Sequence, residues 1–225
     1  MRASIALVLV LGCSAHKTFD DAITSSGEGG TREGNDGSMP ADPQGDIDTG
    51  VPETCPYPSG PYGIDQGSIV SPSMTWQGYK PNSSSVSTIT MRDFFDCDGT
   101  KGVNAILVDT SAVWCGPCNQ ESAQLESVMQ SQWGPAGVQV LLLMWQNVSR
   151  GPASMSDVTT WKSKYGLDMV NCALDTQFQF AHPNSSVSLP TNVLINPRTM
   201  KIEAIGKGYG GGPDPVVLKL ANNNK

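Results

Sequence analysis

The chain has few basic residues, and this shortage excludes one broad class of function. Its 225 residues include 14 Lys and Arg against 21 Asp and Glu, which gives a formal net charge of −7 at pH 7. Proteins that bind nucleic acid carry basic patches that neutralise phosphates, and nothing in this sequence resembles such a patch. The chain is therefore not expected to bind nucleic acid.

Long hydrophobic runs are also missing. The most apolar stretch, residues 3–12, is interrupted only by Ser4 and follows Met1-Arg2. One positive charge and about ten apolar residues are typical of a secretory signal, and such a run is too short to span a bilayer. No other stretch approaches the length of a transmembrane helix.

The signal ends in Val10-Leu11-Gly12-Cys13, which resembles the lipobox of bacterial lipoproteins. In that family the signal peptide, here residues 1–12, is removed and the cysteine is lipidated as the first mature residue. The resemblance implies an extracytoplasmic protein on the periplasmic side, anchored to the membrane only by a lipid on Cys13. Ser14 favours the outer membrane of a Gram-negative cell. The alternative is an ordinary signal in which Cys13 is incidental.

Residues 13–54 differ sharply in composition from the rest of the chain. They are rich in Gly, Ser, Thr, Asp, Glu and Pro, and residues 14–54 hold nine acidic residues against two basic ones. Since so few apolar side chains cannot offset the entropy lost on ordering, we predict a disordered, acidic, lipid-anchored tether. Residues 55–225 are nearly neutral and are the predicted folded domain.

That domain is long enough to have its own core, and its hydrophobic pattern predicts alternating strands and helices. A final antiparallel pair and helix complete an α/β fold with a sheet of mixed direction. The predicted extended segments are 69–79 (with turns at Ser71-Pro72 and Gln77-Gly78), 87–95, 103–109, 138–145, 169–174, 191–195 and 201–205. The predicted helices are 118–133, 155–165 (capped by Ser156-Asp157 and ended by Gly166) and 215–221.

Two cysteines lie where a predicted strand turns into a helix, in Trp114-Cys115-Gly116-Pro117-Cys118. The first thiol is at the helix N-terminus, where unpaired N–H groups and the macrodipole favour a thiolate, and the second follows one turn later. This arrangement predicts reversible dithiol chemistry and therefore a thiol-disulfide oxidoreductase. The alternatives are a permanent structural disulfide or half of a zinc site. A zinc site needs a second close pair of Cys or His, which the sequence does not offer, so neither a metal nor a cofactor is expected.

The motif resembles the thioredoxin family, in its extracytoplasmic TlpA/ResA-like branch. Leu189-Pro190-Thr191 is similar to the family's X-Pro-Thr before a β-hairpin, where the proline is cis. An extra helix and strand precede this proline, an insertion typical of the membrane-tethered branch. The resemblance covers roughly residues 62–222 and implies a thioredoxin fold: a mixed central sheet flanked by helices, with an inserted helix and strand and an N-terminal extension. Glu121 stands where the branch usually has a glutamate, but the proline that often follows is replaced by Ser122-Ala123.

The exchange chemistry assigns a role to each residue of the motif. Cys115, expected to be partly exposed with a pKa lowered from about 8.5 to nearer 7, would attack a disulfide sulfur. Cys118, expected to be more buried, would then attack Cys115 and release the reduced substrate. Gly116 and Pro117 constrain the helix start, and Trp114 would pack as a lid.

Two carboxylic acids are candidates for moving the proton. Period two along a strand puts Asp109, Ser111 and Val113 on one face, which allows Asp109 to point under the active site. The resemblance implies that Asp109 helps deprotonate Cys118; alternatively, Asp109 only ends the strand and bonds nearby backbone. Glu121 could serve the same end, or lie on an exposed first turn where acids suit the macrodipole.

The family resemblance also implies roles for the second motif. A cis Pro190 would stand against the two sulfurs and keep metals off the dithiol. The backbone of Leu189 would then be free to pair with an extended substrate segment. The alternative is an ordinary turn before a strand.

Three further cysteines remain. In an oxidising compartment thiols tend to pair, so a disulfide between Cys55 and Cys97 that pins the start of the domain is one possibility. Cys172 would then be a buried small hydrophobe, although the sequence leaves the connectivity open.

The predicted function is a monomeric enzyme that reduces protein disulfides or passes electrons to protein dithiol partners from a membrane electron donor. Gly-Pro between the cysteines resembles reducing thioredoxins, and cytochrome c maturation is the usual client of the branch. A non-catalytic thioredoxin-fold binding module of the cell envelope is the alternative. A peroxiredoxin-like peroxidase would need a proline that residues 109–115 lack, and a copper chaperone would need a wider cysteine spacing.

Overall fold

The computed structural model describes residues 55–180 and 188–225. The predicted signal peptide (1–12), the lipidated Cys13 and the tether (13–54) lie outside the described residues. In the part that is described, none of the helices combines the length and the apolar character needed to cross a bilayer.

Seven strands form one sheet in the order β2-β1-β5-β4-β3-β6-β7. The strands are β1 (Thr75–Tyr79), β2 (Val86–Thr90), β3 (Ala105–Ala112), β4 (Val138–Gln146), β5 (Asn171–Leu174), β6 (Thr191–Asn196) and β7 (Lys201–Lys207). The helices are α1 (Gly116–Val128), α2 (Met155–Tyr165) and α3 (Pro215–Asn223). A short 3-10 helix (Met91–Phe94) follows β2, and a π-helical segment (Met129–Trp133) continues α1.

The strand directions confirm the predicted fold class. β3, β4 and β5 run parallel, while β6 and β7 extend the sheet antiparallel on one side and β1 and β2 on the other. The helix α2 and the strand β5 lie between β4 and β6, where the insertion was expected, and β1 and β2 belong to the N-terminal extension. The molecule has a thioredoxin fold with a mixed central sheet flanked by helices.

The predicted turn at Gln77-Gly78 is wrong, because both residues lie inside β1. Gly78 pairs with Ala173 of β5 at unusually close range. A Cβ at this position would lie 2.4 Å from the carbonyl oxygen of Cys172 and 2.6 Å from the Cα of Ala173. Glycine is therefore required here for the close approach of two strands and not for a turn.

Two predicted boundaries also need correction. The N-cap of α2 is Ser154 and not Ser156: Ser154 Oγ accepts from the backbone N–H of Asp157, whose carboxylate accepts from the N–H of Ser154 in return. The predicted strand 87–95 ends at Thr90, which caps the 3-10 helix in the same way through Asp93. Both are capping boxes, in which two otherwise unpaired N–H groups are satisfied at once.

All three helices cover one face of the sheet. Leu107 of β3 and Leu142 of β4 belong to a buried cluster with Leu125 of α1, Trp161 of α2 and Val217 of α3. The position of the site follows from this packing, since α1 is held over the carboxyl end of β3.

The N-terminal extension covers the opposite face. Ile106 and Leu141, which alternate with the residues of the helical face, form a second buried cluster with Trp76, Ile89 and Phe94. Without residues 55–104 this face of the central strands would lose the cover of these side chains, and so the extension is part of the core and not an appendage.

Arg198, in the turn between β6 and β7, connects distant parts of the chain. Its guanidinium donates to the backbone oxygens of Asp96, Val103 and Asn224 and to Oδ1 of Asn104, at 2.5 to 2.8 Å. It also lies 3.1 Å from the fully buried carboxylate of Asp96. One side chain thus joins the extension, the start of β3 and the end of α3.

Candidate active site

Cys115 is the N-cap of α1, which begins at Gly116, two residues before the predicted start at Cys118. Its sulfur accepts the backbone N–H of Cys118 at 3.1 Å. The two cysteines are joined by a disulfide, with their Cα atoms 5.3 Å apart. Since an N-cap position exposes a sulfur to unpaired N–H groups and the positive end of the helix dipole, a thiolate formed at Cys115 would be stabilised there.

The expected partial exposure of Cys115 is wrong for this oxidised form. Cys115 is 2% exposed and Cys118 is fully buried. Both belong to the helical-face cluster, against which the half-buried side chains of Trp114 and Leu189 pack. The disulfide is therefore part of the core, while Gly116, which lies between the two cysteines in the chain, is exposed.

Trp114 is held by the last residue of β4 and by one residue of the turn that follows it. Its indole Nε1 donates to Oε1 of Gln146 at 2.9 Å, and the guanidinium of Arg150 lies 4.0 Å above its ring. A cation at this distance is attracted by the ring quadrupole. The ring is thus fixed against the buried cluster that contains the disulfide, and its role as a lid stays a prediction.

Asn119 fixes the backbone that carries Cys115. Its Nδ2 donates to the carbonyl oxygens of Cys115 at 2.7 Å and Val113 at 3.3 Å. Its Oδ1 accepts from Lys164 at 2.9 Å and from the hydroxyl of Tyr165. The turn between β3 and α1 is therefore tied to α2.

The Leu189-Pro190 bond is cis, and β6 begins at the next residue. Thr191 pairs with Thr110 near the end of β3, so the register brings Pro190 to the segment from which Cys115 follows. The carbonyl oxygen of Pro190 accepts the N–H of Gly208 at 2.8 Å. Pro190 is buried and Leu189 half-buried.

Asp109 lies in the middle of β3 and is 1% exposed. Its Oδ1 accepts from the hydroxyl of Ser111 at 3.0 Å, which places the two side chains on one face as predicted from period two. Burial raises the pKa of Asp109 to about 7, with the Ser111 hydrogen bond opposing this shift. Asp109 does not end the strand, which continues to Ala112.

Glu121 is not on an exposed first turn. It is half-buried, and its carboxylate oxygens accept from Nδ2 of Asn192 at 3.1 and 3.4 Å. Burial first, and then the charge of Asp109, raise the pKa of Glu121 well above its usual value, against the opposing hydrogen bond from Asn192. The two candidate acids are therefore close enough for the charge of one to shift the pKa of the other.

A cavity of about 220 Å³ opens beside this pair. It lies between α1, the Gly-rich loop after β7 and the start of α3, and Glu121, Asn192 and Tyr209 are among the residues that line it. The pKa of Tyr209 is raised by burial and by the charge of Glu121. Of the two acids, only Glu121 lines this cavity.

Of the remaining cysteines in the described residues, Cys55 and Cys97 belong to the N-terminal extension, while Cys172 of β5 lies in the same buried cluster as Cys115 and Cys118. Cys55 and Cys97 are joined by a disulfide, with Cα atoms 6.0 Å apart. Cys172 is 1% exposed, and burial raises the pKa of its thiol to about 12, so it stays a protonated, buried side chain. Within residues 55–180 and 188–225, no group of three or more His, Cys, Asp or Glu side chains is arranged to hold a metal ion.

Several functional neighbours were not predicted from the sequence. Gln146, Arg150, Asn192 and Tyr209 are far from the cysteines in the chain and reach the site only through strand pairing and loop packing. Asn119 had a local signal, since an Asn directly after Cys118 is placed to bond the carbonyl groups of the preceding turn.

Several solved structures resemble this chain at low sequence identity. No protein-family model matches the sequence, and no curated protein matches it. The thioredoxin domain of a thiol-disulfide oxidoreductase from Bacteroides vulgatus is 16% identical, with a TM-score of 0.48 and coverage of 72% of this chain and 100% of that one. A secreted thiol-disulfide isomerase from Corynebacterium glutamicum is 17% identical, with a TM-score of 0.46 and coverage of 73% and 94%. A 2-Cys peroxiredoxin from Plasmodium vivax is 15% identical, with a TM-score of 0.48 and coverage of 70% and 80%. At such identities and TM-scores, none of these likenesses carries evidence of a shared activity.

The raised pKa of Asp109 predicts a pH-dependent gain in stability for Asp109→Asn. The folded state binds the proton more tightly than the unfolded state, so the wild-type protein loses stability as the pH rises from about 4 to about 7. The isosteric variant avoids this loss. We expect its gain to be small at pH 4 and to reach at most about 4 kcal/mol at pH 8.

Urea unfolding of the oxidised protein between pH 4 and pH 8 measures this difference. Asp168→Asn, which changes a side chain 68% exposed, is the control for removal of one surface charge. A difference between Asp109→Asn and wild type that stays constant over this range contradicts the prediction.

Proposed function

We propose that this protein is a thiol-disulfide oxidoreductase that reduces disulfides of other proteins through Cys115 and Cys118. The observation that carries the proposal is the N-cap position of Cys115, with Cys118 bonded to it one turn into the same helix. An N-cap position stabilises a thiolate. A disulfide that only bridges distant segments has no need of such a position.

The reaction starts from the reduced dithiol. The Cys115 thiolate attacks one sulfur of the substrate disulfide; that S–S bond breaks and a mixed disulfide forms. Cys118 then loses its proton to the acid pair and attacks the sulfur of Cys115. The mixed disulfide breaks, Cys115 and Cys118 become oxidised, and the substrate leaves with two electrons as a dithiol. A membrane-bound electron donor of the thiol class would restore the reduced form.

A non-catalytic binding module of the cell envelope is the second candidate, and the burial of Cys115 is the observation that favours it. Reactivity requires an approach to the sulfur past Trp114 and Leu189. Gly116, the residue directly after Cys115, is exposed. The two candidates differ in whether an external thiol or disulfide reaches this sulfur at all.

Replacement of the first cysteine is predicted to abolish disulfide reduction. With the full chain and insulin as a protein disulfide, Cys115→Ser should fall to the uncatalysed rate. Cys118→Ser should also stop turning over but accumulate a mixed disulfide through Cys115, because the resolving thiol is absent. Cys172→Ala is the matched control and should keep wild-type activity.

Alkylation of the reduced native protein by iodoacetamide at pH 7 tests access separately, and Cys115 should react first. Equal reduction of insulin by wild type and Cys115→Ser, or a Cys115 that resists alkylation until the protein unfolds, would contradict the enzymatic proposal and support the binding module.

We further propose that the dithiol is reducing, as its resemblance to Gly-Pro thioredoxins suggests. The expected reduction potential is on the order of −270 mV. Equilibration with glutathione buffers, followed by alkylation and mass measurement of the separated peptides, gives this value for Cys115 and Cys118 apart from Cys55 and Cys97. Cys172→Ala removes the buried free thiol. A potential near −120 mV, that of a strong oxidant, would reverse the direction.

The sequence of the first 13 residues supports a lipid anchor on the periplasmic side of a bacterial membrane. The full chain expressed in a Gram-negative host should incorporate radiolabelled palmitate and sediment with membranes. Cys13→Ala should do neither. Recovery of wild type as an unlabelled protein in the soluble periplasmic fraction would contradict the anchor, while leaving the exchange chemistry intact.

A further inference from the structure

Asn192 lies directly opposite Asp109 in the sheet. The two residues are register partners in the antiparallel pairing of β6 with β3. Such partners have side chains on the same face, with Cβ atoms about 5 Å apart. On β7 the next residue in this row is Gly206, which has no side chain and forms part of the cavity wall. The amide of Asn192 therefore has room between Asp109 and the cavity.

The nitrogen and the oxygen of the Asn192 side-chain amide have different surroundings. Nδ2 donates to the two carboxylate oxygens of Glu121, and so Oδ1 faces away from that carboxylate. Oδ1 of Asn192 and Oδ2 of Asp109 are both buried, and within the described part of the chain neither has a hydrogen-bond partner. Each buried acceptor without a donor is costly, and because the two residues are register partners, one proton on Oδ2 of Asp109 donated to Oδ1 of Asn192 would satisfy both.

We propose that Asn192 is a positioning residue whose amide bridges the two carboxyl groups, accepting a hydrogen bond from protonated Asp109 and donating one to ionised Glu121. The bridge places the single proton of the pair on the carboxyl group in the middle of the sheet. It places the negative charge on Glu121, which lines the cavity and accepts two hydrogen bonds from the amide, whereas Oδ2 of Asp109 has no donor among the described residues. This order of ionisation is the reverse of the one in which a charged Asp109 raises the pKa of Glu121.

The other groups that face the pair leave this bridge in place. Ser111 donates to Oδ1 of Asp109 and not to Oδ2. Cys172 of β5 lies in the same row beyond Leu142 of β4, and its thiol is protonated. Tyr209 faces Glu121 across the cavity, and Asp214 lines that cavity while its Oδ1 accepts the N–H that begins α3.

The role of the stored proton rests on the proposed function. When a donor thiolate attacks Cys115 of the oxidised protein, the Cys115–Cys118 bond breaks and a bond to the donor forms. Cys118 leaves as a thiolate and takes the proton from Asp109. A new proton then reaches the pair from the cavity. By keeping this proton on Asp109, Asn192 would ensure that the oxidised protein can protonate Cys118 when the disulfide is reduced.

Carboxyl carbon NMR of the oxidised full chain tests the bridge without any turnover. Asp109→Asn and Glu121→Gln assign the two signals. In wild type, Glu121 should lose its proton at a lower pH than Asp109. Asn192→Leu removes both hydrogen bonds at similar volume, so Glu121 should become an about tenfold weaker acid and Asp109 an about tenfold stronger one. Tyr209→Phe is the matched control and should preserve the wild-type order.

A wild-type order in which Asp109 ionises first overturns the proposal, as does an order that Tyr209→Phe changes and Asn192→Leu does not. Should Asn192→Leu fail to fold, the side-chain NH2 signal of Asn192 in wild type decides. Its chemical shift must change at the pH at which each of the two carboxyl groups ionises. In Glu121→Gln the change at the lower of these two pH values must disappear. A signal that follows neither group overturns the bridge. Since no substrate is used, failure of the Cys115→Ser experiment would leave this result unchanged.

Discussion

A carboxyl group in the dry interior of the sheet is the constraint on which the rest of the site depends. β3 is buried along its whole length, and Asp109 stands at its centre. Burial there strongly disfavours the charged form of the carboxyl group. Neighbouring residues must therefore supply hydrogen bonds to it, or a second carboxyl group must share its proton. Ser111, Asn192 and Glu121 come from three different elements to meet this demand. The same strand delivers the cysteines at its end, which fixes how far the acids can lie from the disulfide.

The parts of the fold with strong local signals were predictable from the sequence. Helix α2 and the β6–β7 hairpin carry a complete hydrophobic period with clear turn residues, and Cys115-Gly116-Pro117-Cys118 marks a strand-to-helix junction. The predicted turn at Gln77-Gly78 failed because a glycine selected for close strand contact looks the same in sequence as a turn glycine. Asn192 and Tyr209 gave no signal, since only the antiparallel register and the folding of the loop after β7 bring them to Glu121.

The two faces of the sheet have different roles. The face that the helices cover holds the cysteines, the two acids and the cavity, while the N-terminal extension closes the other face with Trp76, Ile89 and Phe94. Because Arg198 and the Cys55–Cys97 disulfide both fasten the extension, the helical face rests on a support that is fixed independently of the site. Small rearrangements of Trp114 and Leu189 around the disulfide need not disturb that support.

The disulfide between Cys55 and Cys97 also sets the route of mechanical load. A pull on the segment that precedes Cys55 passes through the covalent bond to Cys97 and then to Asp96, whose carboxylate meets Arg198. Residues 56–95, including the outermost strands β1 and β2, are bypassed and carry no tension while the bond is intact. Loss of that bond would redirect the force into the edge hairpin, which would then peel from the sheet one hydrogen bond at a time.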